Sequence, residues 1–480
     1  MSLRRLLTAV LLALILVMAP ARRAAAYTLL THEELIDLTW DDSIVPLLLS
    51  RYPNLTPAQL EEARAYAYGG CVIQDMGYYP FGDRSFSNLT HYVRSGDFVV
   101  NLFRNAKNAD QLAFAVGALS HYVGDSIGHS MATNLAVPVE FPQLRRKYGP
   151  VVSYAEGEDQ HVRVEFGFDI DEISHHHMAP LHYLRHVGLG VPVQQLALAF
   201  YQTYGLRGEF TGPRHKFSVH EYRFAVRAFI PRIAYAVAVL HRHHEPPEPD
   251  TASARRVLKG VAKVSARDDW QHYRRKPGVG TYLLAGLLFI LPKIGPLRLA
   301  AVKGPTPATD AEYMHSVALS VAALRRRLAR FTPPADRRLR AADFSAGALP
   351  QALQTVRPKA KTPIALPLTH QPPPDRRHPL PNLDLDTGHV VKPGGYPLTD
   401  STYARLLHWL TRHPSWAIPP GIKSNIEAYY ANPNAPITTK KHPKKWARVQ
   451  ADLAILAKMP TSSARQPYPT YSLDAAADSQ

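Results

Sequence analysis

The chain has little of several features that mark familiar classes of protein. Its 480 residues contain one cysteine, Cys71, so no internal disulfide can form. Its two apolar runs are both shorter than a membrane-spanning helix requires. The sequence has no glycine-rich phosphate loop, no G-x-S-x-G nucleophile elbow, no internal repeat and no convincing series of alternating strands. These absences argue against a disulfide scaffold, a P-loop enzyme and an α/β hydrolase, and they favour an all-α fold.

The first residues have the order of a secretory signal peptide. Two arginines precede the apolar run 6–18, and Ala24-Ala25-Ala26 supplies small residues before Tyr27. We therefore predict a signal peptide at residues 1–26, cleavage before Tyr27, and export to a periplasmic, extracellular or cell-surface location. An uncleaved membrane anchor is the alternative.

The charge of the chain is strongly basic. The formal net charge is +17, and removing residues 1–26 with their four arginines leaves +13. Such a balance favours polyanionic partners, either a phospholipid surface or nucleic acid, without choosing between them. The sequence identifies no protein partner.

Capping and apolar patterns predict helices throughout the first 245 residues. Thr56 and Pro57, for example, suit the cap and first turn of a helix that extends to Tyr68. A proline-rich break at 245–250 suggests a boundary. The predicted organisation is a signal peptide (1–26), a catalytic domain (27–245), a helical region with an apolar segment (246–356), a proline-rich linker (357–398), a small helical module (399–460) and a disordered tail (461–480).

The apolar segment at 282–291 supports two alternative predictions. It is about half as long as a membrane span, so a buried hairpin or core helix is one prediction. The other is a segment that dips into a membrane surface.

The residues that carry chemistry begin with His121, Asp125 and His129, which stand four residues apart. A four-residue step turns an α-helix by about 400°, so the three side chains project from nearly one stripe. Imidazole nitrogen and carboxylate oxygen are zinc ligands. A second pair, His161 and Glu165, has the same spacing. The sequence therefore predicts a metal site with more than one ion.

Further candidate ligands precede this stripe, and their order resembles a known superfamily. The candidates, in order, are Tyr27, His32, Asp75, His91, His121, Asp125, His129, His161 and Glu165. This order, with the H-x3-D and H-x3-E steps, resembles the zinc-dependent phospholipase C and single-strand-specific nuclease superfamily over roughly residues 27–171. The resemblance implies a multi-helix catalytic domain with three zinc ions. It also implies that the free amino group and carbonyl of the mature N-terminus serve as ligands.

One spacing departs from the usual pattern. Members of the superfamily usually place a histidine six residues after the aspartate, where this chain has Met131. Here His129 follows Asp125 after four residues instead. That spacing is similar to the zinc-dependent phospholipase domain of glycosylphosphatidylinositol-specific phospholipase D.

The resemblance also implies how the ligands are shared among the ions. One zinc would be held by Asp75, His91, His121 and Asp125. A second would be held by the Tyr27 main chain, His32 and the shared Asp125, and the third by His129, His161 and Glu165. The run His175-His176-His177 and the histidines 241, 243 and 244 fall outside this pattern, and a solvated tract is the prediction for 175–177.

The leading hypothesis is an exported hydrolase that cleaves a phospholipid phosphodiester with metal-activated water. Asp75 is the candidate catalytic residue, orienting or deprotonating that water, and a purely ligating role is equally compatible with the sequence. One alternative is a single-strand-specific nuclease with the same metals, for which Tyr78, Tyr79, Phe81, Phe86 and Tyr92 could stack on bases. The other is a metal-stabilised binding protein without turnover.

Overall fold

The computed structural model describes residues 29–79, 82–208, 210, 219–241, 247–290, 302, 304–331, 379–432, 435–436 and 440–462. Within these ranges the chain is helical and contains no β-strand, only two isolated bridges, Leu383 with Val390 and Ile418 with Thr461. The predicted all-α class is confirmed. The predicted signal peptide, Tyr27 and all but the first two residues of the predicted tail lie outside the described residues.

The described helices are named in chain order. They are α1 (Leu29–Thr39), α2 (Val45–Arg51), α3 (Pro57–Cys71), α4 (Arg84–Tyr92), α5 (Ser95–Asn105), α6 (Ala109–Gly128), α7 (Asn134–Glu140), α8 (Pro142–Tyr148), α9 (Glu158–Ser174), α10 (Leu181–Val187), α11 (Val193–Tyr204), α12 (Val219–Phe224), α13 (Ile230–His241), α14 (Ala252–Arg267), α15 (Trp270–Tyr273), α16 (Val279–Ile290), α17 (Pro307–Phe331), α18 (Pro397–Thr411), α19 (Pro420–Ala431) and α20 (Pro443–Lys458). A 3-10 turn spans Ile73–Gly77, and π-helical turns span Trp40–Ile44, His129–Thr133 and Ala225–Phe229.

Helix α6 is the centre of the fold. Its first turn is closed by the Asn108 side chain, which accepts a hydrogen bond from the backbone N–H of Gln111 at 2.9 Å. From Leu112 to Gly128 nearly every residue is buried, because helices α1, α3, α5 and α17 all pack around it. A helix enclosed in this way holds its own side chains in fixed positions, which is what a ligand stripe requires.

Two glycines let α3 and α6 approach each other closely. A Cβ on Gly117 would lie 2.2 Å from the carbonyl oxygen of Ala67, and a Cβ on Gly70 would lie 2.1 Å from that of Phe114. Any larger residue at either position would push the helices apart. The close crossing brings the end of α3, and the turn that follows it, against the stripe of α6.

The C-terminal residues pack against the same helices. Of the predicted linker 357–398, the structure describes 379–398, and this part is not a free spacer. Tyr122 donates a hydrogen bond to the Pro381 carbonyl at 2.8 Å, Ser95 donates one to the Leu383 carbonyl at 2.6 Å, and the backbone N–H of Leu385 donates to the His91 carbonyl at 3.2 Å. Buried leucines in this segment supply the apolar contact that the proline content of the sequence concealed.

One hydrophobic core includes residues from Leu29 to Met459. Helix α17 lies along α6, and α18 contacts α4. The described parts of the predicted domains share this core. The predicted domain limits stay predictions. Helices α18, α19 and α20 occupy the range of the predicted small helical module, 399–460.

No helix in the described ranges is both long and apolar enough to cross a membrane. Helix α16, which contains most of the apolar segment, buries Ala285 and Leu288 and packs on α13. Its other face is open, with Phe289 exposed by 74% and Ile290 by 80%. One face of this helix therefore packs against the core, and the opposite face is exposed.

Candidate metal centre

Four predicted ligands from three parts of the chain converge beside α6. His121 and Asp125 lie one turn apart on α6, His91 lies in the last turn of α4, and Asp75 lies in the 3-10 turn after α3. One ligand atom from each lies within 4.8 Å of the others, and all four residues are buried. The structure thus brings together the set that the resemblance implied for one zinc.

The carboxylate of Asp125 is shared between histidines on its two sides. Its Oδ2 lies 3.1 Å from His91 Nε2 and 3.2 Å from His121 Nε2. Its Oδ1 lies 3.2 Å from Nε2 of His32, which reaches the site from α1. Each oxygen of Asp125 therefore lies beside at least one imidazole nitrogen.

Backbone carbonyls orient two of the imidazoles. Nδ1 of His91 lies 2.8 Å from the Ser87 carbonyl, and Nδ1 of His121 lies 3.0 Å from the Cys71 carbonyl. Because a carbonyl can only accept a hydrogen bond, a neutral imidazole in this position carries its proton on Nδ1. Its Nε2 then presents a lone pair to the centre, as in metal-ligating histidines.

His32 is held by stacking and by a glycine. Its ring stacks on that of His121 with centroids 4.3 Å apart. A Cβ added to Gly124 would lie 3.3 Å from the His32 ring and 2.9 Å from Leu35 Cδ1. The lack of a side chain at position 124 therefore leaves the space in which His32 reaches Asp125.

The remaining predicted ligands form an adjoining group around His129. Its Nδ1 lies 3.7 Å from Glu165 Oε1, its Nε2 lies 4.0 Å from Asp125 Oδ2, and its ring stacks on His161 with centroids 6.2 Å apart. His161 Nε2, however, lies 2.8 Å from the side-chain oxygen of Asn134. The structure places the three residues of the implied third site together and adds Asn134, which the sequence analysis did not name.

Burial and charge shift the ionisation of the central residues in opposite directions. Burial raises the pKa of Asp75 to about 6. Burial also acts to raise the pKa of Asp125, but His121 and the other surrounding imidazoles outweigh it and hold this pKa well below its usual range. Burial lowers the pKa of His91, yet hydrogen bonds to Asp125 and Asp75 raise it by more. Asp125 is thus the fixed negative charge of the centre.

The residues present fit a zinc ion on chemical grounds. Asp75 Oδ2 is buried and accepts no hydrogen bond within the described part of the chain, and the polar neighbours of Asp75 Oδ1 and Asp125 Oδ1 are histidine nitrogens at 3.2 to 3.8 Å. Burying such an oxygen without a partner is costly, and a bound cation removes the cost. Two carboxylates and several Nε2 atoms aimed at one point form a donor set that zinc prefers.

The structure adds Asp386, from the predicted linker, to the surroundings of the centre. Its Oδ2 accepts hydrogen bonds from Tyr92 at 2.9 Å and Tyr396 at 2.7 Å, and Asn134 donates to its backbone carbonyl at 2.8 Å. The sequence contained one indication of burial, the alternation of leucine and aspartate in Leu383-Asp384-Leu385-Asp386, which a solvated linker does not require. The surrounding prolines favoured the interpretation as a linker instead.

The aromatic residues near the ligands are packed inside the protein. Tyr78, Tyr79, Phe86 and Tyr92 are between 0% and 6% exposed, and Phe81 lies outside the described residues. Phe86, for example, stacks on Phe200 with centroids 5.3 Å apart. The four described rings serve the core and offer no open face on which a base could stack.

Comparison with known proteins agrees with the geometry. Residues 31–206 match the family model described as zinc dependent phospholipase C. The match includes every candidate ligand from His32 to Glu165, and the resemblance inferred from the motifs is confirmed over this range. No curated protein and no solved structure matches the chain. A family of this kind indicates a zinc-dependent hydrolase of phosphodiesters.

Proposed function

From the match of residues 31–206 to the zinc-dependent phospholipase C family, we propose that the protein is an exported hydrolase that cleaves a phosphodiester bond of phospholipids. The observation that carries the proposal is the buried convergence of Asp75, His91, His121 and Asp125, with ligand atoms within 4.8 Å of one another. The binding-protein alternative requires no such complete set.

The ligands divide into three groups around Asp125. Asp75, His91, His121 and Asp125 would hold one zinc, and His32 with Asp125 and the Tyr27 terminus would hold a second. His129, Glu165 and His161 would hold the third. When bound, clustered zinc ions polarise the phosphate oxygens, lower the pKa of water and stabilise charge on the leaving oxygen.

Asp75 is the residue proposed to accept the proton of the attacking water. Its Oδ1 lies 3.3 Å from His91 Nε2, and its Oδ2 is buried without a hydrogen-bond donor among the described residues. Its position is fixed because the backbone N–H of Tyr78 donates to its carbonyl at 2.8 Å. A carboxylate held in this way can orient an attacking water and accept its proton at Oδ2.

A lipid substrate is supported by the open face of α16. Val279, Phe289 and Ile290 are exposed by 71%, 74% and 80%, and the exposed Arg275 and Lys276 precede the helix. Apolar side chains beside basic ones suit the boundary between acyl chains and anionic headgroups. The burial of the aromatic residues near the centre gives no comparable support to a single-stranded nucleic acid.

Export is proposed from the signal-peptide order of residues 1–26 and from the N-terminal ligand that the resemblance implies. The start of α1 is fixed by Asp169, which accepts hydrogen bonds from the Leu30 N–H at 3.1 Å and the Thr31 hydroxyl at 2.8 Å. Cleavage before Tyr27 would free the amino group that the resemblance implies as a ligand, and activation would then accompany export.

The substrate is tested by assaying the mature Tyr27 form with zinc on phospholipid vesicles and on single-stranded DNA side by side. We expect release of a water-soluble phosphate ester or headgroup from the vesicles, and no such release by the His121→Ala variant. Turnover of DNA alone would reject the lipid substrate. Elemental analysis that found almost no metal in the folded protein would reject the enzyme itself.

The role of the terminus is tested by its length. A variant with two extra residues before Tyr27 should bind less zinc than the mature form and hydrolyse the vesicles more slowly. N-terminal sequencing of the exported protein should begin at Tyr27, and a different first residue, or unchanged zinc content in the extended variant, would contradict the proposed ligand.

A further inference from the structure

A second group of buried acids lies outside the candidate metal centre. Asp171 and Glu172 at the end of α9 meet Asp310 in the first turn of α17. One oxygen from each lies within 4.8 Å of the others, and the three residues are 5%, 2% and 2% exposed. We call these three residues the α9–α17 acidic cluster.

Two histidines that follow α9, His175 and His177, lie beside this cluster. The backbone N–H of His177 donates to the Glu172 carbonyl at 2.9 Å, and that of His176 donates to the Ile173 carbonyl at 3.1 Å. This pair of bonds is a Schellman ending, and His176 takes the left-handed position (φ 65°) that glycine usually occupies. The turn places His175 and His177 beside the last turn of the helix.

Both of these histidines face the acids. His175 Nδ1 lies 3.6 Å from Asp171 Oδ2, and His177 Nδ1 lies 3.1 Å from Glu172 Oε2. His177 also reaches Glu248, whose Oε1 lies 3.1 Å from its Nε2. The run that the sequence suggested was solvated is in fact partly buried here, with the side chains of His175 and His177 16% and 13% exposed.

Asp310 supplies an independent sign of a missing positive partner. Its Oδ1 is buried and has no hydrogen-bond donor among the residues that the structure describes. Burial, followed by the charge of Asp171, raises the pKa of Asp310 to about 7. Three carboxylates held this close repel one another, and taking them out of water is costly unless a cation accompanies them.

We propose that Asp171, Glu172 and Asp310 bind a divalent cation, with the imidazoles of His175 and His177 available as further ligands. Oxygen ligands joined by imidazole suit zinc or manganese. The site is separate from the candidate metal centre, because Asp171 lies six residues beyond Glu165, about 9 Å along the helix and on a different side of it.

The bound cation would join the catalytic helices to the C-terminal region. Helix α17 already contacts the catalytic helices through Tyr313, which stacks on Phe168 of α9 with centroids 4.6 Å apart and shares a 2.9 Å hydrogen bond with Thr31 of α1. Thr31 is the neighbour of His32. A cation at the α9–α17 acidic cluster would therefore stabilise the position of the helix that carries a candidate ligand.

The site is tested by counting ions in the full-length mature protein. Zinc and manganese per chain are measured after dialysis for the wild type, for Asp310→Asn, and for the control Asp250→Asn, whose side chain is exposed and paired with Arg255. Asp310→Asn should contain one ion fewer than the wild type, and the control should contain the same number. An unchanged count in Asp310→Asn would overturn the proposal.

A second measurement avoids dependence on the stability of that variant. The variant His121→Ala removes a ligand of the candidate metal centre and leaves the α9–α17 acidic cluster intact. Crystals of His121→Ala soaked in manganese should give an anomalous peak among Asp171, Glu172 and Asp310. If Asp310→Asn fails to fold, this peak still supports the proposal, and its absence overturns it.

Discussion

The candidate metal centre and the α9–α17 acidic cluster place acids and imidazoles together with different parts of the fold. In the candidate metal centre the ligands stand on helices and on a turn packed against α6, and backbone carbonyls orient His91 and His121. In the acidic cluster they stand at the end of one helix and the start of another. The first arrangement fixes ligand atoms around one carboxylate, whereas the second is suited to fastening two elements together.

A third buried group shows that acids in this protein do not always call for a metal. Arg64 forms ion pairs with Asp37 and, at 2.8 Å, with Asp268, and all three side chains are 10% exposed or less. Here the chain supplies its own cation, and the guanidinium can donate to both carboxylates. By contrast, no arginine or lysine forms an ion pair with Asp171, Glu172 or Asp310 among the described residues.

The largest expected effect is at the candidate metal centre. His121→Ala removes an Nε2 ligand, so vesicle hydrolysis should fall by about 10³-fold, corresponding to about 4 kcal/mol of lost transition-state stabilisation. The zinc content should fall as well. The control His182→Ala alters an exposed histidine and should change neither quantity. Retention of activity in His121→Ala would mean that the centre is not the site of hydrolysis.

Gly124→Ala tests how closely the centre is packed. The added methyl group would meet Leu35 and the His32 ring, so we expect a loss of roughly 1–3 kcal/mol of stability from overpacking. Displacement of His32 should also lower vesicle hydrolysis by about 10-fold or more. Gly286→Ala is the matched control, because nothing lies within 4 Å of its Cβ. Thermal unfolding and kcat/KM are measured for both variants. Equal stability and equal kcat/KM in the two variants would refute the packing argument.

Asp386→Asn tests whether the C-terminal segment supports the centre. The change weakens the hydrogen bonds from Tyr92 and Tyr396, and we expect roughly 1–3 kcal/mol lower stability and about a 10-fold loss in kcat/KM. Asp400→Asn is the control, since Asp400 accepts a hydrogen bond from Tyr429 away from the centre. It should lower stability and leave kcat/KM unchanged. Similar kinetics for the two variants would show that position 386 has no special role.

The smallest expected effect is at the ion pairs that Arg64 forms with Asp37 and Asp268. Burial acts to raise the pKa of Asp268, but Arg267 and Arg64 outweigh it and lower this pKa. A lowered pKa in the folded state gives stability that is present above the unfolded value, about 3.9, and is lost as the pH falls below it. Asp268→Asn should therefore be less stable than the wild type in urea at pH 7. The difference should shrink at pH 3, and a difference independent of pH would contradict this account.

Much of the candidate site could be predicted because its ligands follow helical spacing. His121 and Asp125 are one turn apart in α6, and His161 and Glu165 are one turn apart in α9, so a local rule identified each pair. The helix start at Thr56 was equally local, since it depends on a side chain and an amide three residues apart. The all-α class followed from the same patterns.

What was missed depends on contacts between distant residues. Asp386 reaches Tyr92 across nearly three hundred positions, |i−j| = 294, and no periodicity near residue 386 indicates that partner. The prolines before it gave no information about burial. The histidines at 175 and 177 were predicted to be solvated because Asp310, which lies far along the chain, was not part of the local pattern.

The sequence by itself determined the helices, the ligand types and their spacing, since these depend on residues within a few turns of each other. Only the tertiary structure decided which ligands meet. The close crossing at Gly70 and Gly117 brings α3 against α6, the gap at Gly124 admits His32, and the packed C-terminal segment places Asp386 beside Tyr92. These arrangements come from packing between elements distant in the chain, which a single sequence does not specify position by position.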